Sequence, residues 1–171
     1  MTKRFVVVNG PPGCGKTTIS GALAEGLGLP LFSKDAVKES LADHLEVTDA
    51  DGSRRLGRAA VLLLYDLARA SQGAVLEGPF LRSFARNELG RLGGDVVEVF
   101  LRCPRDELER RYRARTRHDC HFDHLRTPEE LWNDDTMEPV AGGWPVIDVD
   151  STQPVDVDAL IALLSAPRRD V

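Results

Sequence analysis

The sequence predicts an α/β fold in which a five-stranded parallel sheet is covered by helices on both faces. Short apolar runs alternate along the chain with segments whose apolar residues recur at helical spacing. Parallel strands need crossover connections, and helical crossovers cover both faces of the sheet that they build. The chain has 171 residues without an internal repeat or a dividing linker, which suits a single domain.

Five strands are predicted from short apolar or β-branched runs that end at turn residues. The first run is continuous and apolar, as in a strand buried on both faces, and it ends at Asn9-Gly10. Ligands of open parallel sheets bind beyond the carboxyl ends of the strands, so the residues after each strand are the first candidates for chemistry. The predicted strands are residues 5–8, 31–32, 74–76, 96–101 and 146–150.

Helices are predicted where apolar residues recur every three or four positions. Asp35 occupies an N-cap position in front of the second helix, and Gly28 ends the first one. Residues 118–145 are expected to be irregular apart from one short helix, and residues 166–171 to form a frayed tail. The predicted helices are residues 17–27, 35–41, 54–72, 81–92, 106–117, 128–133 and 155–164.

Composition excludes several classes of protein. Lys and Arg number 22 against 27 Asp and Glu, and the net charge of −5 disfavours a general nucleic-acid coat. The three cysteines form no CxxC pair, so free thiols in a reducing compartment are expected. No apolar run reaches the ~20 residues of a membrane span, and the run at residues 5–8 is too short for a signal-peptide core. These features predict a cytoplasmic protein with no membrane partner.

A phosphate-binding loop follows the first predicted strand. Residues 10–17 read Gly-Pro-Pro-Gly-Cys-Gly-Lys-Thr and match GxxxxGK[ST] at every fixed position. Glycines allow consecutive backbone N–H groups to converge on phosphate oxygens, and the following helix adds its positive dipole end. Lys16 is expected to reach the β- and γ-phosphates and Thr17 to ligate Mg²⁺, while Cys14 fills the loop. The residues assigned to the nucleotide are Gly10, Pro11, Pro12, Gly13, Cys14, Gly15, Lys16, Thr17 and Thr18.

Four sequence features follow one another along the chain. They are VVVNGPPGCGKTT at residues 6–18, Lys34-Asp35, EGPFLR at residues 77–82, and an arginine-rich helix before Arg117-His118-x-x-His121-x-Asp123. In this order they resemble the small P-loop kinases, most closely the AAA_33-type kinases, which are akin to chloramphenicol phosphotransferase, zeta toxins and the kinase domain of polynucleotide kinase. The resemblance covers about residues 5–160 and implies a three-layer P-loop NTPase fold, strand order 2-3-1-4-5 and a lid at about residues 110–127.

The residues after the second strand supply a candidate base. A kinase needs a carboxylate near the acceptor hydroxyl to orient it and take its proton. The resemblance implies that Asp35 is this base and that a cation follows three residues later. That cation is Lys38, which offers substrate or phosphate a point charge where polynucleotide kinases have an arginine. Helix capping is a second interpretation of Asp35 and is compatible with the first.

The third strand is followed by an acidic residue and a basic helix. Glu77 either holds a water on Mg²⁺ or contacts the acceptor, and a solvated strand end is the alternative; the family more often has Asp at this position. Arg82 and Arg86 lie one helical turn apart, where they can bind an anionic acceptor or form a solvated face.

An arginine-rich segment coincides with the implied lid. A lid arginine neutralises charge on the γ-phosphate oxygens during transfer, and Arg113 and Arg117 are the first candidates. Arg110 is a further candidate, at the nucleotide, and a solvated helix face is the alternative. The nearby His118, His121 and Asp123 meet no fixed zinc spacing, so loop packing or substrate contact is expected of them.

The turn after the fifth strand is the implied adenine site. In the resembling kinases this turn lies against the base, which assigns the backbone from Thr152 to Val155, including Thr152 and Pro154, to the nucleotide. A surface turn is the alternative interpretation. The sequence has no [NT]KxD guanine motif, so ATP is favoured over GTP.

Together these features predict ATP- and Mg²⁺-dependent transfer of the γ-phosphate to a hydroxyl of a small molecule, with an antibiotic as the leading specific acceptor. Acidic residues between 41 and 58, Asp43, Glu46, Asp49 and Asp51, are expected near the acceptor and suit a neutral or cationic compound. A nucleic-acid partner is therefore not expected. Two alternatives stay open, a polynucleotide or nucleoside 5′-hydroxyl kinase and a non-catalytic ATP-binding switch, and oligomeric state has no signal in the sequence.

Overall fold

Five parallel strands form the central sheet of the structure, a computed structural model that describes residues 3–166. They are β1 (Arg4–Asn9), β2 (Leu31–Ser33), β3 (Gly73–Glu77), β4 (Asp95–Arg102) and β5 (Val146–Asp150). The strand order β2-β3-β1-β4-β5 confirms the sequence prediction. β1 lies at the centre between β3 and β4, and its residues from Phe5 onward are buried. The loop that follows β1 is therefore held at the middle of the carboxyl edge of the sheet.

Helices cover both faces of this sheet. One buried cluster packs α1 and α8 against one face, and a second packs α3 and α4 against the other. Two short 3₁₀ turns, Asp119–His121 and Asp123–Leu125, lie between α5 and α6. The helices are α1 (Lys16–Leu27), α2 (Lys34–His44), α3 (Ala50–Ala70), α4 (Arg82–Gly90), α5 (Arg105–Ala114), α6 (Pro128–Leu131), α7 (Asp134–Met137) and α8 (Val157–Ser165).

The starts of α2 and α3 differ from the sequence prediction, and their N-caps explain the difference. Ser33, and not Asp35, is the N-cap of α2, since its Oγ accepts from Ala36 N at 3.4 Å. Asp49 caps α3 by accepting from Gly52 N at 2.6 Å, so this helix begins four residues before Arg54. In both cases the cap lies upstream of the apolar stripe from which periodicity locates a helix.

α5 ends at Ala114, three residues before the predicted end, because Arg115 has an extended backbone. The segment that carries Arg117 is consequently irregular. Within residues 3–166, no helix combines the length and apolarity needed to cross a bilayer. The predicted tail, apart from Ala166, lies outside the described residues.

Candidate active site

A cavity of about 910 Å³ opens at the carboxyl edge of the sheet. The loop of residues 10–17, called the P-loop below, forms one side, and α3 with the residues after β3 forms the other. The start of α2 lies between them, and residues 111–136 contribute the remaining wall. The cavity thus combines the segments after β1, β2 and β3, where the topology directs ligands of parallel sheets.

The P-loop presents free backbone donors to this cavity. Gly13 and Gly15 have φ values of 94° and 92°, which turn successive amides in a way that L side chains resist. A Cβ on Gly13 would lie 2.8 Å from Leu108 O, whereas the space around Gly15 is open to 4 Å. The amides of Gly13, Gly15, Lys16 and Thr17 make no hydrogen bond within the described residues. Converging free N–H groups around an open space at a helix N-terminus are a cradle that fits phosphate oxygens.

Lys16 and Thr17 are the first two residues of α1, directly after the glycines of the cradle. Lys16 Nζ donates to Gly10 O at 2.7 Å and to Pro11 O at 3.0 Å, which holds the ammonium along the loop. The Thr17 side chain lines the cavity and is exposed, as a metal-ligating hydroxyl must be. Cys14 is fully buried under the loop, consistent with its predicted filling role. Trp132 Nε1 donates to Pro12 O at 3.0 Å and fastens α6 to the loop.

Asp35 lies in the first turn of α2 and lines the same cavity. Its carboxylate accepts from Lys34 Nζ at 2.9 Å and from Arg117 Nη2. Burial alone would raise the pKa of Asp35, but the charges of Lys34 and Arg117 outweigh it and hold the pKa well below its usual range. Asp35 is therefore a carboxylate at neutral pH, available as a hydrogen-bond acceptor.

Two arginines from the irregular segment after α5 reach the cavity. Arg117 Nη1 donates to Asp123 at 3.3 Å, and His121 Nε2 lies 3.1 Å from Arg117 Nη2 and 2.7 Å from Glu39. Arg115 donates to Asp123 at 3.2 Å and lies over the Tyr112 ring at 3.9 Å. The structure thus places two guanidinium groups at the cavity wall beside the candidate base.

The other predicted arginines point elsewhere. Arg113 pairs with Glu109 on the exposed side of α5, and Arg110 pairs with Glu107. Neither side chain lines the cavity. Arg82, the candidate for an anionic acceptor, is exposed outside the cavity as well.

Lys38 reaches the cavity from inside the protein. It is 1% exposed, and its ammonium donates to Ser53 Oγ at 2.7 Å, while the Ser53 hydroxyl donates to Cys120 O at 2.6 Å. Burial, together with the charge of Lys34, lowers the pKa of Lys38 to about 8. The chain of hydrogen bonds ties α2 to α3 and to the 3₁₀ turn at Asp119–His121, so Lys38 also connects the base helix to the segment of Arg117.

Glu77 lies at the end of β3 and is buried at the cavity floor. It accepts from the hydroxyl of Ser33, the cap of α2, at 2.5 Å. Both oxygen donors predicted for Mg²⁺, Thr17 and Glu77, therefore line one cavity, and hard oxygen ligands are the set that Mg²⁺ prefers. The implied metal thus fits these residues.

The predicted adenine turn lies outside the cavity wall. Thr152 folds back on Asp150, to which its Oγ1 donates at 2.7 Å, and Pro154 follows it. Arg111 links this turn to the cavity, because it lines the cavity and donates to Ser151 O at 2.9 Å.

The structure contradicts one expectation about the acceptor side. Asp43, Glu46, Asp49 and Asp51 do not line the cavity. Asp49 is used as a cap, and Asp51 forms an exposed ion pair with Arg54 at 2.8 Å. Asp43 lies in α2, where it pairs with His118 at 3.1 Å. The four acidic residues therefore give no reason to expect a cationic acceptor.

Comparison with known proteins identifies the family to which the chain belongs. The family profile of the AAA domain (AAA_33) matches residues 5–137. The chain belongs to this family. Its fold matches a candidate kinase from Chloroflexus aurantiacus j-10-fl with a TM-score of 0.83 and 29% identity, covering 96% of this chain and 97% of that one. A comparison with curated proteins finds no significant match.

Two further solved structures share the fold at lower identity. A gluconokinase from Sinorhizobium meliloti 1021 has a TM-score of 0.60 and 22% identity, covering 95% and 90% of the two chains. The tunicamycin resistance protein of Deinococcus radiodurans has a TM-score of 0.58 and 15% identity, covering 95% and 94%. This AAA domain protein therefore has the fold of the small P-loop kinases.

Sequence reasoning missed a polar joint behind the P-loop of this AAA domain protein. Asn9 donates to Glu98 at 2.9 Å and accepts from the amides of Gly10 and Phe80 at 2.8 and 3.1 Å. Glu98, fully buried in β4, also accepts from Val140 N at 2.8 Å, among other donors. A lone acidic residue inside an apolar strand run was the available signal, because such a residue must find buried donors.

Proposed function

We propose that this protein transfers the γ-phosphate of ATP to a hydroxyl group of a small molecule, with Mg²⁺ as the metal. The observation that carries the proposal is that the Asp35 carboxylate and the free P-loop amides face one cavity. A phosphate held at the amides and a hydroxyl held at Asp35 would share this space, which is the arrangement that phosphoryl transfer requires. Membership of the AAA domain family and the kinase-like fold support it.

Each side chain has a distinct task in the proposed reaction. The acceptor oxygen bonds to the γ-phosphorus as the bond to the ADP oxygen breaks, and ADP leaves with that electron pair. Asp35 orients the hydroxyl and passes its proton to solvent; its low pKa makes orientation the larger part of its role. Arg115 and Arg117 supply positive charge for the transferred group. Thr17 and Glu77 would hold Mg²⁺, which would neutralise charge on the phosphates.

Two finer points belong to the same proposal. Antibiotics are one class of acceptor to be tested, because the Deinococcus protein of the same fold is a tunicamycin resistance protein. We also propose a cytoplasmic site of action, which the three free thiols and the need for ATP support. The proposed lid is the segment that brings Arg115 and Arg117 to the cavity.

A labelled-ATP assay tests the proposal. Purified protein is incubated with γ-labelled ATP, Mg²⁺ and pools of nucleosides, sugars, antibiotics and oligonucleotides, and labelled products are separated. Asp35→Asn should bind ATP normally and lose transfer by ~10²–10⁴-fold. Asp158→Asn is the matched control, because Asp158 lies in the first turn of α8 and does not line the cavity. Labelled oligonucleotide as the preferred product would replace the small-molecule assignment, and ATP binding without any transfer would indicate a switch.

A further inference from the structure

One part of the cavity lining is apolar. Three large side chains line it while remaining substantially exposed: Leu62 at 41%, Leu81 at 42% and Phe84 at 45%. Val61 and Pro79 complete the surface, which we call the apolar wall. Asp35 and Glu77 line the same cavity, so the wall is continuous with the proposed reaction site.

The position of these exposed apolar side chains inside the cavity points to a ligand. Each Å² of apolar surface left in water forgoes about 25 cal/mol of stabilisation, and an apolar patch rimmed by polar groups marks a binding site. Leu63 and Leu67 on the same helix are also exposed, at 40% and 38%, but they do not line the cavity. They are ordinary surface leucines and serve as an internal reference for the wall.

Aromatic rings support the wall from behind. The Tyr65 ring, which is fully buried, lies 6.3 Å from the Phe84 ring and 6.1 Å from the Phe80 ring, with interplanar angles of 49° and 48°. This cluster holds Phe84 in place and leaves part of its side chain in the cavity. A planar group can stack on a ring that is fixed in this way without a large loss of side-chain entropy.

Charges around the wall favour one kind of polar substituent. Arg58 lines the cavity on α3 and forms no ion pair or hydrogen bond within the described residues. The nearby acids are engaged, since Glu77 accepts from Ser33 and Glu130 lies 3.6 Å from Arg54 and 3.8 Å from Arg126. An uncommitted guanidinium binds a carbonyl, nitro, carboxylate or sulfonate group and repels an ammonium.

We propose that the acceptor is an amphipathic alcohol with an aromatic or branched apolar body, whose hydroxyl reaches Asp35 while its body packs on the apolar wall. This inference rests on the proposed function and specifies its substrate class. A polyol such as a sugar acid has no apolar body to cover the wall, so it would leave Leu62, Leu81 and Phe84 in water and bind more weakly. The acceptor class therefore differs from that named for the gluconokinase of the same fold.

Binding is tested with a fluorescent probe that has the predicted chemistry. 1-Anilinonaphthalene-8-sulfonate combines aromatic rings with a sulfonate, and its emission reports binding to wild type, Phe84→Ala, Leu62→Ser and the control Leu63→Ser. We expect about tenfold weaker binding for the two wall variants, equal to about 1.4 kcal/mol, and no change for the control. 3-Phenyl-1-propanol should displace the probe from wild type, and gluconate at the same concentration should not.

Transfer and assembly are measured on the same proteins. Labelled phosphate should appear on 3-phenyl-1-propanol, with kcat/KM at least tenfold above gluconate, and the wall variants should lose this preference while MgATP affinity is unchanged. Displacement of the probe by gluconate, or equal effects of Leu63→Ser and Phe84→Ala, would overturn the inference. A dimer that becomes monomeric in Leu62→Ser while probe binding is retained would make the wall an interface and also overturn it. Displacement by the alcohol without transfer to any acceptor would instead overturn the proposed reaction.

Discussion

Arg117 donates to the carboxylate of Asp35, which joins two residues 82 positions apart in the sequence. Both side chains are partly buried, at 18% and 33% exposure. The pair connects the irregular segment after α5 to the first turn of α2, and His121 and Asp123 hold Arg117 from its other sides. In this structure the candidate base is therefore already positioned by the arginine that would stabilise the transferred phosphate.

Loss of Arg117 should slow transfer more than it weakens ATP binding. Arg117→Met removes the positive charge beside Asp35 and beside the proposed position of the γ-phosphate, so we expect kcat to fall by ~10²–10³-fold with a smaller change in the Kd of ATP. Steady-state kinetics with labelled ATP measure the first value and calorimetry the second. An unchanged kcat would contradict the role of this arginine.

Arg113 and Arg105 provide the comparison for that experiment. Both pair with Glu109 on the exposed side of α5, outside the cavity. Arg105→Met should behave as wild type, and Arg113→Met should lose much less activity than Arg117→Met. Equal losses for Arg113 and Arg117 would show that closure of the segment brings both into the site, as the sequence predicted.

Lys38 should make stability depend on pH. Its folded-state pKa of about 8 lies below the ordinary value of 10.5, so between these values the unfolded chain binds more protons than the folded one. The free energy of unfolding contributed by Lys38 therefore rises with pH, by up to about 1.4 kcal/mol per pH unit. Urea unfolding of wild type and Lys38→Met across this range should show a difference that grows in favour of wild type.

The same titration has its own control. Lys3 donates to Arg69 O at 3.0 Å near the other edge of the sheet, and Lys3→Met should keep the pH dependence of wild type. A constant difference between wild type and Lys38→Met at all pH values would mean that the Lys38 ammonium remains protonated when buried.

Most of the correct predictions were made from local features of the sequence. The P-loop is a contiguous motif whose geometry depends on its own glycines and on the strand before it, so its position in the fold is readable directly. Non-local pairs are different. Nothing near Arg117 indicates that it reaches Asp35, or that Arg113, four residues earlier, faces solvent; the break of α5 after Ala114 decides both.

Side-chain burial limited the prediction of the acceptor site. In the sequence, the acidic residues around Asp49 look like residues that line a pocket. In the structure, Asp49 caps α3 and Asp51 forms an exposed ion pair in its first turn. Leu62 lies in α3 and Leu81 is the N-cap residue of α4, and the sequence alone cannot distinguish apolar residues that pack in the core from those that border a cavity. Only the relative placement of α3 and the residues after β3 reveals the apolar wall.

Glu98 should be the most stabilising acidic residue behind the site. Its buried carboxylate accepts from Asn9, from the amides of Val140 and Ala141 at 2.8 and 3.0 Å, and from Trp144 Nε1 at 3.3 Å. Glu98→Gln replaces one acceptor oxygen by an N–H group that faces donors, so we expect a loss of ~1–3 kcal/mol in the free energy of unfolding. Urea unfolding measures it.

An exposed glutamate provides the comparison for this loss in the free energy of unfolding. Glu138 pairs with Arg102 at 3.4 Å on the surface, and Glu138→Gln should cost no more than about 0.5 kcal/mol. Equal effects of the two substitutions would show that the polar joint behind the P-loop contributes little to stability.

Calorimetric titration of MgATP tests the central claim most directly, because every proposed step requires the triphosphate in the P-loop. Wild type and the control Lys3→Ala should bind one equivalent with the same affinity. Lys16→Ala, which removes the ammonium held 2.7 Å from Gly10 O, should bind at least ~10-fold more weakly. Absence of heat with wild type, or equal affinity for wild type and Lys16→Ala, would contradict the assignment of this cavity to nucleotide binding.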